Sequence, residues 1–230
     1  MEKQKHNFNE FLCRRSSLKG DLHIHSKYSF DSIMDPRKIL KYCKKWDFDI
    51  ISITDHNSIK GSLEAQKYEK EFGINVIVGE EVKTDSGDII GLNLNDELKC
   101  RGWIEVIEEI KDQGGICVFP HPFRGHKNIE GIASKVDIIE VFNSRSTSNE
   151  NQMSMELVGK YNKPVFVGSD AHIYSEIGNA IMSFEDFYSE NKSFYVNYAK
   201  KNQKLQSYIV RDIKLHNYYK IPFHVLKMLL

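Results

Sequence analysis

Residues 19–26, KGDLHIHS, carry two of the nine histidines of the chain at alternate positions. Successive side chains of a β-strand point to opposite faces, so we expect His23 and His25 to project together while Leu22 and Ile24 pack behind them. Two neutral imidazoles that converge on one point are suited to binding a metal ion. The segment therefore predicts a strand that carries part of a metal site, and the rest of the chain has to supply the other ligands.

Length and charge limit the class of protein. A chain of 230 residues fits one α/β domain, and 40% apolar residues with 28% charged residues allow a sizeable core. Lys and Arg (32) balance Asp and Glu (32). A net charge of zero gives no general electrostatic attraction to a long nucleic acid, so we do not expect one as a partner.

The setting that the sequence predicts is a reducing cytoplasm. Cys13, Cys43, Cys100 and Cys117 are widely spaced, with no C-x-x-C pair, and the chain starts with the polar run MEKQKHNFNE. No run approaches the roughly 18 apolar residues that suggest a membrane span. We therefore expect no membrane partner, and we expect the short apolar end, residues 221–230, to dock on its own domain.

Short β-branched runs alternate with helical patterns, which indicates βα units around a parallel sheet. The predicted strands are 18–25, 48–54, 74–82, 88–94, 115–121, 136–142 and 164–170, and the predicted helices are 35–46, 58–72, 102–113 and 148–160. The third and fourth strands are separated by only KTDSG, which predicts a hairpin or an irregular extension. Ile104, Ile107 and Ile110 are expected on one buried helix face. Beyond about residue 180 we expect closing helices and an edge strand.

Most of these strands end in possible metal ligands. They are His23 and His25, Asp55 and His56, Glu80 and Glu81, His121, Glu140, and Asp170 with His172. The carboxyl ends of parallel barrel strands open on one face, so residues that are far apart in sequence meet there. This repeated placement predicts a shared metal centre more strongly than any one residue does. His126, in the loop RGHKN, is a weaker candidate for substrate contact.

Six motifs, in this order, resemble those of the PHP (polymerase and histidinol phosphatase) superfamily. They are DLHIHS (21–26), TDHN (54–57), GEEV (79–82), FPHPF (119–123), IEVFN (139–143) and GSDAH (168–172). The resemblance spans about residues 19–182 and is closest to stand-alone metal-dependent phosphoesterases. It implies an α/β fold, a distorted (β/α)7 TIM-like barrel. Residues 1–230 would then form one domain, with 183–230 as its closing segment.

The resemblance also implies two or three divalent metal ions and their ligands. One site would contain His23, His25, Glu81 and Asp170; a second, Glu81 and His121; a third, Asp31, His56 and His172. Glu81 is preferred to Glu80 because the family acid stands two residues after the glycine, and Asp31 replaces a His of some relatives. Mixed His and carboxylate ligands accept zinc, manganese or iron. The second site departs from the family pattern, because residues 143–152 lack a further His; we expect Glu140, Asn143 or water to complete it, or the site to be empty.

The chemistry implied is hydrolysis of a small phosphorylated substrate, a phosphate monoester or nucleotide-type ester, by metal-bound hydroxide. Arg145 and Arg124 are the expected phosphate-binding cations, with Asn143 and Lys83 as further substrate contacts. His172 or Asp55 would protonate the leaving oxygen, although His172 is also an expected ligand. Asp55 could instead orient a metal-binding imidazole.

Three alternatives remain open at this point. An exonuclease or oligonucleotide phosphodiesterase of the same superfamily would act on short nucleic acids. An amidohydrolase also begins with H-x-H on a barrel strand, but it typically has a lysine on the fourth strand, whereas this chain has TDHN early and D-x-H late. A metal-binding domain without catalysis is the third alternative.

Overall fold

A sheet of mostly buried strands forms the centre of the protein. The computed structural model describes residues 17–185 and 192–229. The strands are β1 (Leu18–Ile24), β2 (Ile50–Ile53), β3 (Asn75–Thr84), β4 (Gly87–Leu92), β5 (Ile116–Phe119), β6 (Ile138–Asn143), β7 (Val165–Gly168), β8 (Ala180–Phe184) and β9 (Lys192–Val196). In the sheet, β1 to β3 and β5 to β7 pair in parallel, and the other pairs are antiparallel. The α-helices are α1 (Pro36–Cys43), α2 (Lys60–Gln66), α3 (Glu69–Phe72), α4 (Trp103–Asp112), α5 (Ile129–Lys135), α6 (Ser148–Tyr161), α7 (Lys201–Lys214) and α8 (Ile221–Leu229).

The sheet is nearly closed into a barrel. Its strand order is β7-β6-β5-β4-β3-β2-β1-β8-β9, and β4 runs antiparallel to both of its neighbours. Ile24 at the end of β1 pairs in parallel with Ala171, just beyond β7, and the amide of His25 donates to the Ala171 carbonyl at 2.9 Å. The predicted α/β barrel is thus confirmed, and the third and fourth strands form the hairpin. The carboxyl ends of the parallel strands open at one mouth.

The buried apolar side chains form three clusters, one inside the barrel and two between the sheet and the surrounding helices. The inner cluster draws on most strands, with Leu22, Ile50, Ile90 and Phe166 among its members. One outer cluster packs α1 and α2 against β1 and β2, and the other packs α4, α5 and α6 against β3 to β6. Side chains therefore fill the barrel below the mouth, which leaves the mouth as the place for polar residues.

β1 is irregular where it carries the two histidines. Asp21 pairs with Ile51 and Ile24 with Ile53, so three steps along β1 face two steps along β2. Leu22 packs in the inner cluster and Ile24 in the outer cluster beside α1, so the two residues that were expected to pack together behind the histidines lie in different clusters. Such an irregularity re-aims side chains. The buried Asp21 carboxylate accepts the amide of His23 at 3.2 Å and that of Ser169 at 3.3 Å, which satisfies backbone groups beside the irregularity.

The helices follow the predicted pattern with three differences. Asp35 caps α1 by accepting the amide of Lys38, with Pro36 next to it, as predicted. The segment 58–72 is two helices, because the backbone of Tyr68 leaves helical geometry (φ −110°, ψ 3°). Ile104 is 38% exposed, and Val106 takes its place on the buried face of α4. Helix α5 was not predicted, since it is only seven residues long and contains a glycine.

The C-terminal segment contains the expected edge strands and helices. β8 pairs with β1, and β9 forms the edge of the sheet. Helix α8 docks on α7, where His224 Nε2 lies 2.9 Å from Asp212, but Phe223, Leu226 and Leu229 stay mostly exposed. The apolar end therefore docks only in part. Among the described residues, every helix is too short or too polar to span a bilayer. Cys13 and the rest of residues 1–16 lie outside the described part of the chain.

We predict that Gly20→Ala destabilises the protein. A β-carbon at Gly20 would lie 1.9 Å from the carbonyl oxygen of Ile50, its partner in the sheet, so the strands would have to separate. Such overpacking costs about 2 kcal/mol, and the melting temperature should fall by roughly 4–8 °C in thermal unfolding. Gly159→Ala is the control, because Gly159 lies in exposed α6 with nothing within 4 Å, and it should gain about 0.5–1 kcal/mol. Equal melting temperatures for the two variants would contradict this account.

Candidate metal centre

The mouth of the barrel brings together imidazoles and carboxylates from residue 23 to residue 172. All eight predicted metal ligands lie there: His23, His25, Asp31, His56, Glu81, His121, Asp170 and His172. They fall into overlapping groups whose possible ligand atoms lie within 4.8 Å of one another. Glu80, the neighbour of Glu81, accepts the amide of Leu98 instead and lies outside these groups. Alternation along β3 explains the difference, since adjacent side chains point to opposite faces.

The first group surrounds His23, near the end of β1, and His25, just after it. Nε2 of His25 lies 3.3 Å from both Glu81 Oε2 and Asp170 Oδ1, and Nε2 of His23 lies 3.6 Å from the same two oxygens. These separations exceed ordinary hydrogen-bond lengths. Both Nε2 atoms are buried and have no partner by hydrogen-bond geometry. The spacing and the orphaned nitrogens fit a bound cation better than they fit a hydrogen-bonded polar core.

A second group, of His25, Asp31, His56 and His172, lies beside the first and shares His25 with it. Asp31 Oδ2 is 2.8 Å from His172 Nε2 and 3.4 Å from His56 Nε2. The ring of His25 stacks on that of His172, with centroids 4.3 Å apart. Nδ1 of His56 is 3.4 Å from Glu81 Oε2, so Glu81 contacts both groups. The ligand sets are therefore parts of one continuous cluster.

A third group contains two residues that sequence reasoning did not assign to the metal centre. Asp88, His121 and His126 offer ligand atoms within 4.8 Å of one another, and each has a buried side-chain atom without a partner: Asp88 Oδ1, His121 Nδ1 and His126 Nδ1. Nε2 of His126 lies 2.8 Å from the amide of Asp88. The hairpin register pairs Asp88 with Lys83, on the same side of β3 as Glu81. This alternation is the signal that could have identified Asp88.

The backbone at two of the candidate ligands is strained. His121 has φ 29° and Asp170 has φ 53°, both in the left-handed region that residues with side chains rarely adopt. His121 follows the end of β5, and Asp170 follows the end of β7. Such strain concentrates at functional sites, where the surrounding structure holds it in place. Here it turns each side chain towards the cluster.

Glu140, on β6, hydrogen-bonds to two of the candidate ligands, His23 and His121, and so fixes their orientation. Its Oε1 lies 2.9 Å from Nδ1 of His23, which leaves Nε2 of His23 directed at the cluster. Its Oε2 accepts the amide of His121 at 2.7 Å and the side-chain amide of Asn143 at 3.0 Å. A carboxylate that receives the second ring N–H of a histidine is the usual support of a metal ligand. Glu140 thus supports the cluster and stands outside its inner groups.

Arg124 and Asn143 lie at the edge of the cluster. The guanidinium of Arg124 contacts the Asp170 carboxylate and donates to Asn143 Oδ1 at 3.0 Å. The side-chain amide of Asn143 also lies 3.3 Å from Asp170. The Arg124 side chain is one-third exposed, so a cationic donor is present beside the ligands and accessible from solvent.

Arg145 and Lys83 lie in other surroundings. Arg145 pairs with buried Glu176 at 2.7 Å and donates to Ser207 Oγ at 2.8 Å, and its side chain is only 9% exposed. Sequence reasoning missed these partners because Ser207 lies on α7, outside the motifs. Arg145 therefore joins the loop after β6 to α7. Lys83 is exposed on β3 opposite Asp88. Their predicted substrate contacts stay predictions.

Asp55 lies one layer away from the groups that could hold a metal. Its carboxylate accepts the backbone amide of Ser26 at 2.5 Å and the Ser26 hydroxyl at 2.6 Å. Burial raises the pKa of Asp55 to about 6. A β-carbon on Gly61 would lie 2.0 Å from Asp55 Oδ2, so that glycine makes room for the carboxylate. Asp55 fixes the residue that follows His25, which agrees with the positioning alternative for Asp55, and its role in proton transfer stays a prediction.

Two opposing effects set the pKa values in the cluster: burial disfavours the charged form of each group, and neighbouring charges of opposite sign favour it. Burial alone would raise the pKa of Glu81, but the imidazoles of His56 and His23 hold it well below its usual value. Burial likewise opposes the lowered pKa of Asp170, which Arg124 and His23 produce. The pKa of His25 falls to about 4 because of burial and the neighbouring His172.

His56 behaves in the opposite way. Burial by itself lowers its pKa, but the carboxylates of Glu81 and Asp31 outweigh burial and raise it to about 9. The pKa of His23 is also raised well above its usual value, because Glu140, Asp170 and Glu81 outweigh its burial. The cluster therefore contains ionised carboxylates next to the neutral imidazole of His25 and the protonated imidazoles of His23 and His56. The carboxylates and imidazoles together form a donor set of the kind that zinc, manganese and iron accept.

Comparison with known proteins agrees with this geometry. Over 181 residues the chain is 33% identical to an uncharacterized protein of Methanocaldococcus jannaschii, which covers 74% of this chain and 71% of that protein. A second uncharacterized protein of the same organism is 43% identical over 141 residues, 55% of this chain and 82% of that protein. The names of these two relatives assign no activity.

A solved structure shares the fold. It is a two-domain protein from Bacteroides vulgatus that contains a predicted PHP-like metal-dependent phosphoesterase. The two superpose with a TM-score of 0.64 at 16% identity, over 84% of this chain and 69% of that one. The sequence model of the family described as PHP domain matches residues 21–212, which include every group of the metal centre. The chain is therefore a member of the PHP domain family.

Proposed function

We propose that this protein is a metal-dependent phosphoesterase that hydrolyses a small phosphorylated substrate. The observation that carries the proposal is the pair of buried Nε2 atoms of His23 and His25, unpartnered and facing two ionised carboxylates. Burying such groups without compensation is costly, and a divalent cation supplies that compensation. Membership of the PHP domain family and a PHP-like structural neighbour support the reaction class.

The proposed ligands keep the eight predicted residues and add two. His23, His25, Glu81 and Asp170 would hold one ion, and His25, Asp31, His56 and His172 line the position of another. Asp88 and His126, next to His121, are proposed to complete the remaining site, in place of the His that residues 143–152 lack. The metal would be zinc, manganese or iron. Two or three ions would be bound.

Divalent ions, when bound, lower the pKa of water and offset the negative charge of a phosphate ester. The side chains of this protein provide the rest. Arg124 is proposed to bind phosphate oxygens, since its guanidinium is accessible and already next to the cluster. Asn143 would orient Arg124 and donate its amide towards the same space. Glu140 keeps His23 and His121 aimed inward.

The proposed substrate is small, and the proposed setting is a reducing cytoplasm. A net charge of zero supports a small ester over a long nucleic acid. The described cysteines, Cys43, Cys100 and Cys117, are unpaired. A nuclease, a C–N hydrolase and a non-catalytic domain are the outcomes against which the proposal is tested.

The direct test compares Glu81→Gln with Glu80→Gln after chelation and return of Mn²⁺, Zn²⁺ or Fe²⁺. The unmodified protein should release phosphate from an aryl phosphate or a nucleoside monophosphate. Glu81→Gln should lose at least one equivalent of metal by elemental analysis and about 100-fold or more of activity, because it removes a carboxylate shared between groups. Glu80→Gln changes the adjacent buried acid that faces away, and it should keep the metal.

The substrate panel decides between the alternatives. It also contains a bis-aryl phosphodiester, a short oligonucleotide and an amide series. Amine release without phosphate release would reject the phosphoesterase in favour of a C–N hydrolase. Cleavage confined to the oligonucleotide, with a steep loss on adding salt, would favour a nuclease. Metal-loaded protein that leaves every substrate intact would point to a non-catalytic domain.

Metal uptake should strengthen as pH rises. In the metal-free protein the pKa of His56 is about 9, above the usual 6.5, so protonation of His56 stabilises the fold below pH 6.5, and this contribution is lost as pH rises through about 9. Metal must displace the same proton. We expect the apparent Mn²⁺ affinity to rise by at least about tenfold per pH unit between pH 6.5 and 8.5, measured by calorimetric titration.

Two histidine variants test the origin of that slope. His56→Asn should lower the affinity for Mn²⁺ and flatten its pH dependence. His216→Asn, at an exposed residue near the C-terminal end of α7, should leave both unchanged. A wild-type affinity that is the same at pH 6.5 and 8.5 would contradict the assignment of the proton to His56.

Arg124→Met should weaken binding of the phosphate ester. Loss of the guanidinium removes charge-assisted donors beside the cluster, so KM for an aryl phosphate should rise by about tenfold or more. Arg37→Met is the matched control, because Arg37 pairs with Glu71 on the exposed surface of α1. Metal content is measured in parallel, because Arg124 also contacts Asp170. An unchanged KM at full metal content would remove Arg124 from the proposed binding site.

A further inference from the structure

Helix α7 lies across the loops that surround the barrel mouth. The Lys204 ammonium donates to the carbonyl of Arg145, in the loop after β6, at 2.7 Å. The side-chain amide of Gln203 donates to the carbonyl of Ser175, after β7, at 2.5 Å. The N-terminal half of α7 therefore contacts two of these loops, 28 and 59 residues earlier in the chain.

The last residue of α7 holds the third loop. The ammonium of Lys214 donates to the carbonyl oxygens of Lys27 and Ser32, at 2.8 Å each, and to that of Ser29. An ammonium has three N–H donors, so these carbonyls use its full capacity. A lysine at the end of a helix usually interacts with the carbonyls of its own last turn. Lys214 instead reaches a segment 182 to 187 residues earlier in the chain.

The segment whose carbonyls accept hydrogen bonds from Lys214 contains Asp31. Residues 27–32 form turns without a helix or strand to fix them. Within them the Ser29 hydroxyl donates to Asp31 Oδ1 at 2.6 Å, and the Ser32 hydroxyl lies 3.0 Å from the carbonyls of both His25 and His172. Asp31 Oδ2 is then left to face His172 and His56.

We propose that Lys214 is a positioning residue for the metal site that contains Asp31. Because its ammonium donates hydrogen bonds to three carbonyls within residues 27–32, Lys214 fixes the backbone of this segment. That backbone directs Asp31 at the imidazoles of His56 and His172. Lys214 acts through the backbone and does not itself touch the metal or the substrate. This inference rests on the metal assignment in the proposed function, and it gives the segment after β9 a role in the site.

The test is Mn²⁺ binding by the full-length protein, measured by equilibrium dialysis with elemental analysis. Asp31→Asn first identifies the class of Mn²⁺ sites that depends on Asp31. Lys214→Met keeps the length and the aliphatic stem of the side chain but removes its donors, and it should weaken that same class by about 10–100-fold while the remaining Mn²⁺ stays bound. Lys214→Arg retains the charge and several N–H donors, so it should recover most of the loss.

Lys201→Met is the matched control, since Lys201 is an exposed lysine at the other end of the same helix. It should bind Mn²⁺ like the unchanged protein. Thermal unfolding without metal shows whether each variant folds, and Lys214→Gln, which keeps two donors on a neutral side chain, replaces the Met variant if that one does not fold.

The outcomes separate this inference from the proposed function. The positioning role would be overturned if Lys214→Met bound Mn²⁺ with unchanged affinity. It would also be overturned if Asp31→Asn bound Mn²⁺ like the wild-type protein, because no class of sites would then depend on Asp31. Mn²⁺-loaded protein without phosphoesterase activity would instead overturn the proposed reaction, and the binding results for Lys214 would still stand.

Discussion

The candidate metal centre depends on keeping two buried carboxylates, those of Glu81 and Asp170, ionised next to each other. Glu81 and Asp170 both face the imidazoles of β1, and desolvation together with their mutual repulsion would normally protonate them. The imidazoles, and Arg124 at the edge, keep the pKa of each acid low instead. Coulomb attraction in a poorly hydrated site is strong enough to do this, provided that the partners are held close. The strained backbone at Asp170, the nearly closed barrel and the supporting carboxylate of Glu140 all contribute to that closeness.

Much of the fold was predictable because burial imposes simple periodicities. Seven runs of β-branched residues predicted seven barrel strands, and the five-residue link between the third and fourth predicted their hairpin, as found. The prediction was wrong where local geometry departs from an ideal repeat. Leu22 and Ile24 pack in different clusters because β1 carries an extra residue, and the helix over 58–72 is interrupted at Tyr68. Neither departure has a glycine or proline to signal it in the sequence.

The candidate site was predictable to the extent that its residues lie at strand ends. All eight expected ligands meet at the mouth. Seven of them lie at or just after the ends of predicted strands, which converge there, whereas Asp31 was expected only from the family resemblance. Asp88 was missed because it lies at the start of an antiparallel strand, which reaches the mouth from the opposite direction. Substrate contact by Arg145 stays a prediction, and the sequence did not identify its partners because Glu176, after β7, and Ser207, on α7, lie outside the motifs. Contacts of that kind depend on tertiary packing, which short motifs do not encode.

The irregular register of β1 has a consequence for protein engineering. Three residue steps along β1 match two steps along β2, so the backbone that leads to the two imidazoles is not that of a regular strand. Copying HxH onto a regular strand of another barrel would reproduce the spacing of the two rings and still direct them differently relative to the acids. A successful graft would have to transplant the backbone distortion too, with the Asp21 carboxylate that receives the amides of His23 and Ser169. The smallest portable unit of this centre is therefore a piece of main chain together with its buried acid.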